Sequence, residues 1–325
     1  MRLLGLITFF ILINSLQAKM FVRKEQTLFT DRTYSYNEKW TKIASTEEES
    51  LKEIIKFLSK SKTGKAILLK AKKKAAKYGE TLSDIIKVGN GSLTDTTLIR
   101  KFSPSRPDQV VMESKSTVYL NKNLTVMNAT LDLAHELTHY TFRKAFNPYQ
   151  VNFSLPDFVK STVEGTGGEV DAYLVECKVL TELFPVKVHS QTNCSRVVDP
   201  ETGKLSRHLG RKEFYKMGNY FQEFQKKMSG HSHDHGSSLT HASNESALFI
   251  SSAYGLPYPM AAVQEYESIM SKVCENDKKR LALMKERISR SPASDGQYEQ
   301  NSQVMLFAKM NDSFKNRCSS TPFNF

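Results

Sequence analysis

His135-Glu136-Leu137-Thr138-His139 places two histidines four residues apart, with a glutamate directly after the first. On a helix, positions i and i+4 share one face, so both imidazoles can reach one divalent cation, and Zn2+ is the ion such an HExxH pair points to. Glu136 follows His135 by about 100° round a helix, near enough to take a proton from a metal-activated water. This is the chemistry of amide hydrolysis, in which the metal polarises a carbonyl and the glutamate acts as general base.

The spacing works only if the segment is helical. Ala129, Leu131, Leu133, Ala134 and Leu137 predict a helix that is apolar nearly all round and therefore central, from Asn128 as N-cap to about Lys144, closed by Asn147-Pro148. A second helix is predicted from about Gly168 to Leu183, stopped before Pro185. The tract Glu164-Gly165-Thr166-Gly167-Gly168-Glu169-Val170-Asp171-Ala172-Tyr173 leads into it and supplies three acids. Its glycines are no phosphate loop, because no Lys-Ser/Thr pair follows them. Short strands are predicted at Val110–Met112 and Thr117–Leu120, with loops at Gly89–Gly91 and Pro104–Pro107. Helices are expected at Arg211–Met228 and Pro259–Arg290, followed by a polar C-terminal tail. Helix outweighs strand, so the expected class is α+β, mostly helical, with a small sheet beside the HExxH helix.

These residues resemble those of the zincin metallopeptidases. The metzincin third histidine is absent, since Phe142 and Phe146 stand where that pattern has its glycine and last histidine. Gluzincins take a glutamate from a second helix instead, and Glu169 with Ala172 forms an ExxA 30 residues after His139. Small regulator-cleaving bacterial zincins have a similar glutamate-plus-alanine helix, and there is a likeness to exported bacterial zincins. The resemblance covers about Thr117 to Leu183. It implies a zincin-like core with His135, His139 and Glu169 as zinc ligands and Glu136 as base; Glu164 and Asp171 compete with Glu169 for the third place. Asp171, about 200° round the helix from Glu169, could instead hydrogen-bond a ligand histidine. The resemblance also implies that Thr117–Leu120 is a sheet edge able to pair with an extended peptide. It further implies a group stabilising the oxyanion, for which Tyr254 and Tyr258 in SSAYGLPYP are the candidates.

The rest of the chain sets the context. Arg2, the apolar run Leu3–Leu16 and the exit Gln17-Ala18-Lys19 predict a signal peptide cut after Ala18, giving a secreted or periplasmic protein. That run has 14 residues, short of the roughly 20 that span a bilayer. Residues 19–109 are then a lysine-rich helical region, and residues 110–325 a metallopeptidase region with C-terminal helices. In an oxidising compartment the four cysteines can pair, and Cys177–Cys194 with Cys274–Cys318 closes the shortest loops.

Between Leu51 and Tyr78 stand ten lysines and one acid, Glu53, against a net charge of +12 for the whole chain. Residues 52–77 thus offer a face for an anionic polymer or membrane surface. Nucleic acid is disfavoured, because this stretch has no arginine for bidentate contacts. His231, His233, His235 and His241 form a second metal candidate, or a polar loop. The expectation is an exported zinc-dependent peptidase acting on a peptide or protein substrate. Its alternative is a non-catalytic zincin-like binding protein that grips an anionic surface or cell wall through the lysine face.

Overall fold

The computed structural model describes residues 35–103, 106–150, 153–184, 193–229, 241–290 and 297–318. The expected signal peptide, residues 1–18, and the histidines at 231, 233 and 235 lie outside the described residues. The observed class is mostly helical with one three-stranded sheet.

The HExxH segment forms α4, Val126–Phe142, with most of its length buried. It starts earlier than expected: Thr125, not Asn128, is the N-cap, and its hydroxyl accepts from the Asn128 N–H at 3.3 Å. Thr130 and Thr138 survive in the core because their hydroxyls donate to the carbonyls of Val126 and Ala134, both at 2.8 Å. The helix ends at Arg143, which is extended. Beside the start of α4, fully buried Trp40 donates its indole N–H to the Asn121 carbonyl at 2.7 Å.

Two helices carry the lysines, α1 (Glu47–Leu58) and α2 (Lys62–Ala76), and both pack on α4. Thr46 caps α1 by accepting from Glu49 N–H, as its acidic first turn predicts. The break between them falls at Ser59–Ser61, and Gly64 lies inside α2. A Cβ at Gly64 would stand 2.3 Å from the Leu58 carbonyl oxygen, so only glycine allows this close approach.

A short helix α3 (Leu82–Ile85) leads into β1 (Ile86–Gly89), then β2 (Leu93–Ser103) and β3 (Arg106–Asn121). The order is β1-β3-β2, with β3 parallel to β1 and antiparallel to β2. Val118 pairs with both Ile86 and Thr94, and Val118 and Leu120 are fully buried on the side of α4. The two expected strands are therefore one, because Glu113–Ser116 pair with Thr96–Ile99 in a two-stranded ribbon. β3 also runs through position 110, so the boundary drawn there falls inside a strand.

The glycine tract separates α5 (Leu155–Glu164) from α6 (Glu169–Leu183), and α6 makes the most extensive helix contact with α4. At its far end, Glu182 accepts from the Ser61 hydroxyl at 2.6 Å and from the Thr63 N–H at 2.7 Å, fastening α6 to the start of α2. The helix expected at Arg211–Met228 is two, α7 (Arg207–Phe214) and α8 (Phe221–Ser229), broken where Gly218 takes φ 56°. α9 (Tyr258–Arg290) packs on α5, and the supposed tail is helix α10, Gln297–Cys318, lying along α9.

Both expected disulfides are present, Cys177–Cys194 and Cys274–Cys318, and no described cysteine is free. Two such bridges fit a protein that matures in an oxidising, extracellular environment. No helix among the described residues is long and apolar enough to cross a membrane.

Candidate metal centre

α4 and α6 lie side by side, and three side chains converge between them. Nε2 of His135 and Nε2 of His139 are 3.1 Å apart, and each stands 3.4 Å from Oε2 of Glu169. An ion bound at about 2.0–2.1 Å with tetrahedral angles separates its ligand atoms by about 3.3–3.4 Å. The three distances therefore suit one tetrahedral cation, and these residues could hold a metal ion.

The outer nitrogens define which lone pairs face inward. Nδ1 of His135 lies 3.2 Å from Oε2 of Glu176, and Nδ1 of His139 lies 2.8 Å from the Gly167 carbonyl oxygen. A carboxylate and a carbonyl only accept, so both Nδ1 atoms donate, and when the imidazoles are neutral both Nε2 lone pairs face Oε2 of Glu169. A metal ion or a shared proton between them would satisfy such a cluster. The electrostatics carry the same message. Burial opposes a charged His135, yet its bonds to Glu169 and Glu176 outweigh that and push its pKa up to about 10. Burial likewise works against a charged Glu169, but His139, His135 and Arg143 together hold its carboxyl well below the usual range.

Arg143 extends the histidine stripe by one more turn. Its guanidinium donates to Oε1 of Glu169 at 2.9 Å and to the Thr162 carbonyl at 3.2 Å, which leaves Oε2 for the histidines. Gly167 has φ 71°, and a Cβ there would meet the Arg143 nitrogen at 2.5 Å. The glycine turn thus aims a carbonyl at His139 in a space that admits no side chain.

Glu136 faces the sheet. Its Oε2 accepts from the Thr94 hydroxyl at 2.8 Å, and burial pushes its carboxyl above the ordinary value against the pull of His139 and His135. Thr94 lies near the start of β2, so the strand beside Glu136 is β2. Thr117–Leu120 is not an edge, since β3 is paired on both sides there; the edge next to Glu136 is β2.

Other assignments also change. Asp171 reaches neither imidazole: it accepts from the Gly167 N–H at 3.0 Å and pairs with Arg207 at 3.1 Å. Glu176 orients His135 instead, because it follows Glu169 by two helical turns and so shares its face. Glu164 pairs with Arg211 at 3.1 Å, away from the cluster. Tyr258 packs its ring 5.2 Å from Phe214 within an aromatic group that includes Phe249, which is a core role. Tyr254 is half-buried, with its pKa raised to about 12 by burial and by Glu265. His241 lies 5.9 Å from His208, ring to ring.

Four residues of this neighbourhood were not foreseen: Thr94, Arg143, Glu176 and Glu265. Arg143 and Glu176 could have been found, at i+4 from His139 and i+7 from Glu169. Thr94 and Glu265 come from distant elements and carry no local signal. Glu265, on α9, feels the charges of Arg143, Glu169, His139 and Asp95, and burial raises its carboxyl.

No family model, curated protein or solved structure matches this chain. The functional argument therefore stands on the geometry of the site.

Proposed function

We propose that this chain is an exported zinc-dependent peptidase with a zincin-like core of the glutamate-ligand type. The observation that carries the reading is the convergence of His135 Nε2, His139 Nε2 and Glu169 Oε2 beside a buried glutamate on the same helix. Two imidazoles and one carboxylate are a donor set that suits zinc and leaves a fourth position for the reacting groups. Bound there, zinc would polarise the scissile carbonyl and acidify a water molecule.

The chain's own residues supply the rest. Glu136 accepts the water proton and returns it to the leaving amine, and its burial gives it the basicity for both steps. Thr94 holds the Glu136 carboxylate in one orientation. Arg143 and Glu176 hold the ligands in place. Tyr254 is the tyrosine retained for the carbonyl oxygen, near Glu265. The edge strand β2 offers backbone groups to an extended peptide.

The test is metal content and peptide turnover for the parent, Glu136→Gln and Glu169→Ala. One zinc per chain, a loss of turnover of roughly 10²–10⁴-fold in Glu136→Gln with zinc retained, and zinc loss in Glu169→Ala are expected. Turnover unchanged in Glu136→Gln would sink the reading. Zinc held by a parent that cleaves no peptide in a broad library would favour the non-catalytic alternative.

A further inference from the structure

The lysine helices take no part in the metal centre, and one face of α2 is arranged for a surface. Ile67, Leu68, Ala71 and Ala75 bury one side of the helix. Nearly opposite stands Leu69, 60% exposed, with Lys62, Lys65, Lys72 and Lys73 within about 60° of it round the helix. All four lysines are exposed, and none of their ammonium groups makes a hydrogen bond or ion pair among the described residues. α2 itself contains no acid. The acids on neighbouring segments are engaged elsewhere: Glu53 pairs with Lys56, Glu80 with Lys115, and Glu182 accepts from Ser61 and Thr63.

A dissolved polyanion needs charge alone. An exposed leucine ringed by lysines fits an interface that is anionic at the headgroups and apolar beneath. Lysine stems can lie along such a boundary with their ammonium groups among the phosphates, while the leucine enters the acyl region. We propose that the Leu69 face of α2 docks this protein on an anionic lipid bilayer.

The experiment is co-sedimentation of the full, disulfide-intact chain with vesicles of phosphatidylcholine alone or mixed equally with phosphatidylglycerol, at low and high salt. Binding to the mixed vesicles alone, weakened by salt, is expected. Each lysine that meets an anionic surface multiplies partitioning by about fivefold, so Lys65→Gln with Lys72→Gln should weaken it about 25-fold. Leu69→Ser should weaken it roughly tenfold. All three positions are exposed, so the variants should keep the parent's circular dichroism. Equal binding to both vesicle types, unmoved by these variants, would show that attachment does not use this face and would overturn the proposal. Binding to soluble polyphosphate but not to vesicles, indifferent to Leu69→Ser, would overturn it in favour of a polymer.

Discussion

Glu176 stands seven residues after Glu169 on α6 and meets Nδ1 of His135 at 3.2 Å, so in the proposed zinc site one helix supplies both a ligand and the group that orients a second ligand. The carboxylate fixes the tautomer of His135 and makes its inward nitrogen more electron-rich. Glu176→Ala is therefore expected to weaken zinc binding by roughly 10–100-fold, and Glu176→Gln by less, because the amide oxygen can still accept. Competition with a chelator of known affinity measures both. Unchanged affinity in Glu176→Ala would remove this residue from the site.

Thr94 lowers the Glu136 carboxyl by hydrogen bonding to it, against the larger effect of burial. In Thr94→Val the bond is lost, and the Glu136 pKa rises further. If Glu136 is the base, the acid limb of kcat/KM moves to higher pH, with zinc content unchanged. An acid limb that stays in place would show that another group sets it.

In the metal-free protein, the contacts of His135 with Glu169 and Glu176 override burial and raise its pKa from 6.5 to about 10. A raised folded-state pKa contributes stability that is full below the unfolded value and is lost as pH climbs through the folded one. The chelated protein should thus show a falling Tm between pH 6.5 and about 10. The zinc-loaded protein should lack this component, because the metal takes the place of the proton. Parallel thermal melts, with and without chelator, test it; identical pH profiles would contradict it.

Gly167 combines φ 71° with a Cβ position 2.5 Å from the Arg143 nitrogen, whereas Gly203 has φ 65° and open space. Gly203→Ala should cost only the backbone strain, about 1 kcal/mol. Gly167→Ala should cost more, about 3 kcal/mol, and should also weaken zinc binding by turning its carbonyl away from His139. Denaturant unfolding with a zinc titration separates the two effects.

The parts of this site that were legible in sequence are those set by helical periodicity. His135 and His139 sit on one face because 3.6 residues make a turn, and Glu169 falls at a helix start because the glycines before it end the preceding segment. The cysteine pairs followed from loop length. Legibility failed where the partner is remote. Thr94 reaches Glu136 across 42 residues, and the ribbon that carries it is polar on both faces, so β2 left no alternating pattern to read. Asp171 was misjudged because a local candidate was weighed without Glu176, two turns on. α10 was missed because its anchoring to α9 depends on Cys274–Cys318 and on Asp277, which binds both Arg100 and Arg317 at 2.6 Å.

Cys177 follows Glu176 directly, and its bond to Cys194 ties the middle of α6 to the segment beyond it. Closing a loop of 17 residues removes unfolded-chain freedom worth about 3 kcal/mol. In a reducing compartment that tether is open, and the helix bearing Glu169 and Glu176 is held less firmly against the histidines. If the proposed site holds zinc, pairing of this one couple of thiols should tighten it, so metal affinity would follow the redox state of the compartment the chain occupies.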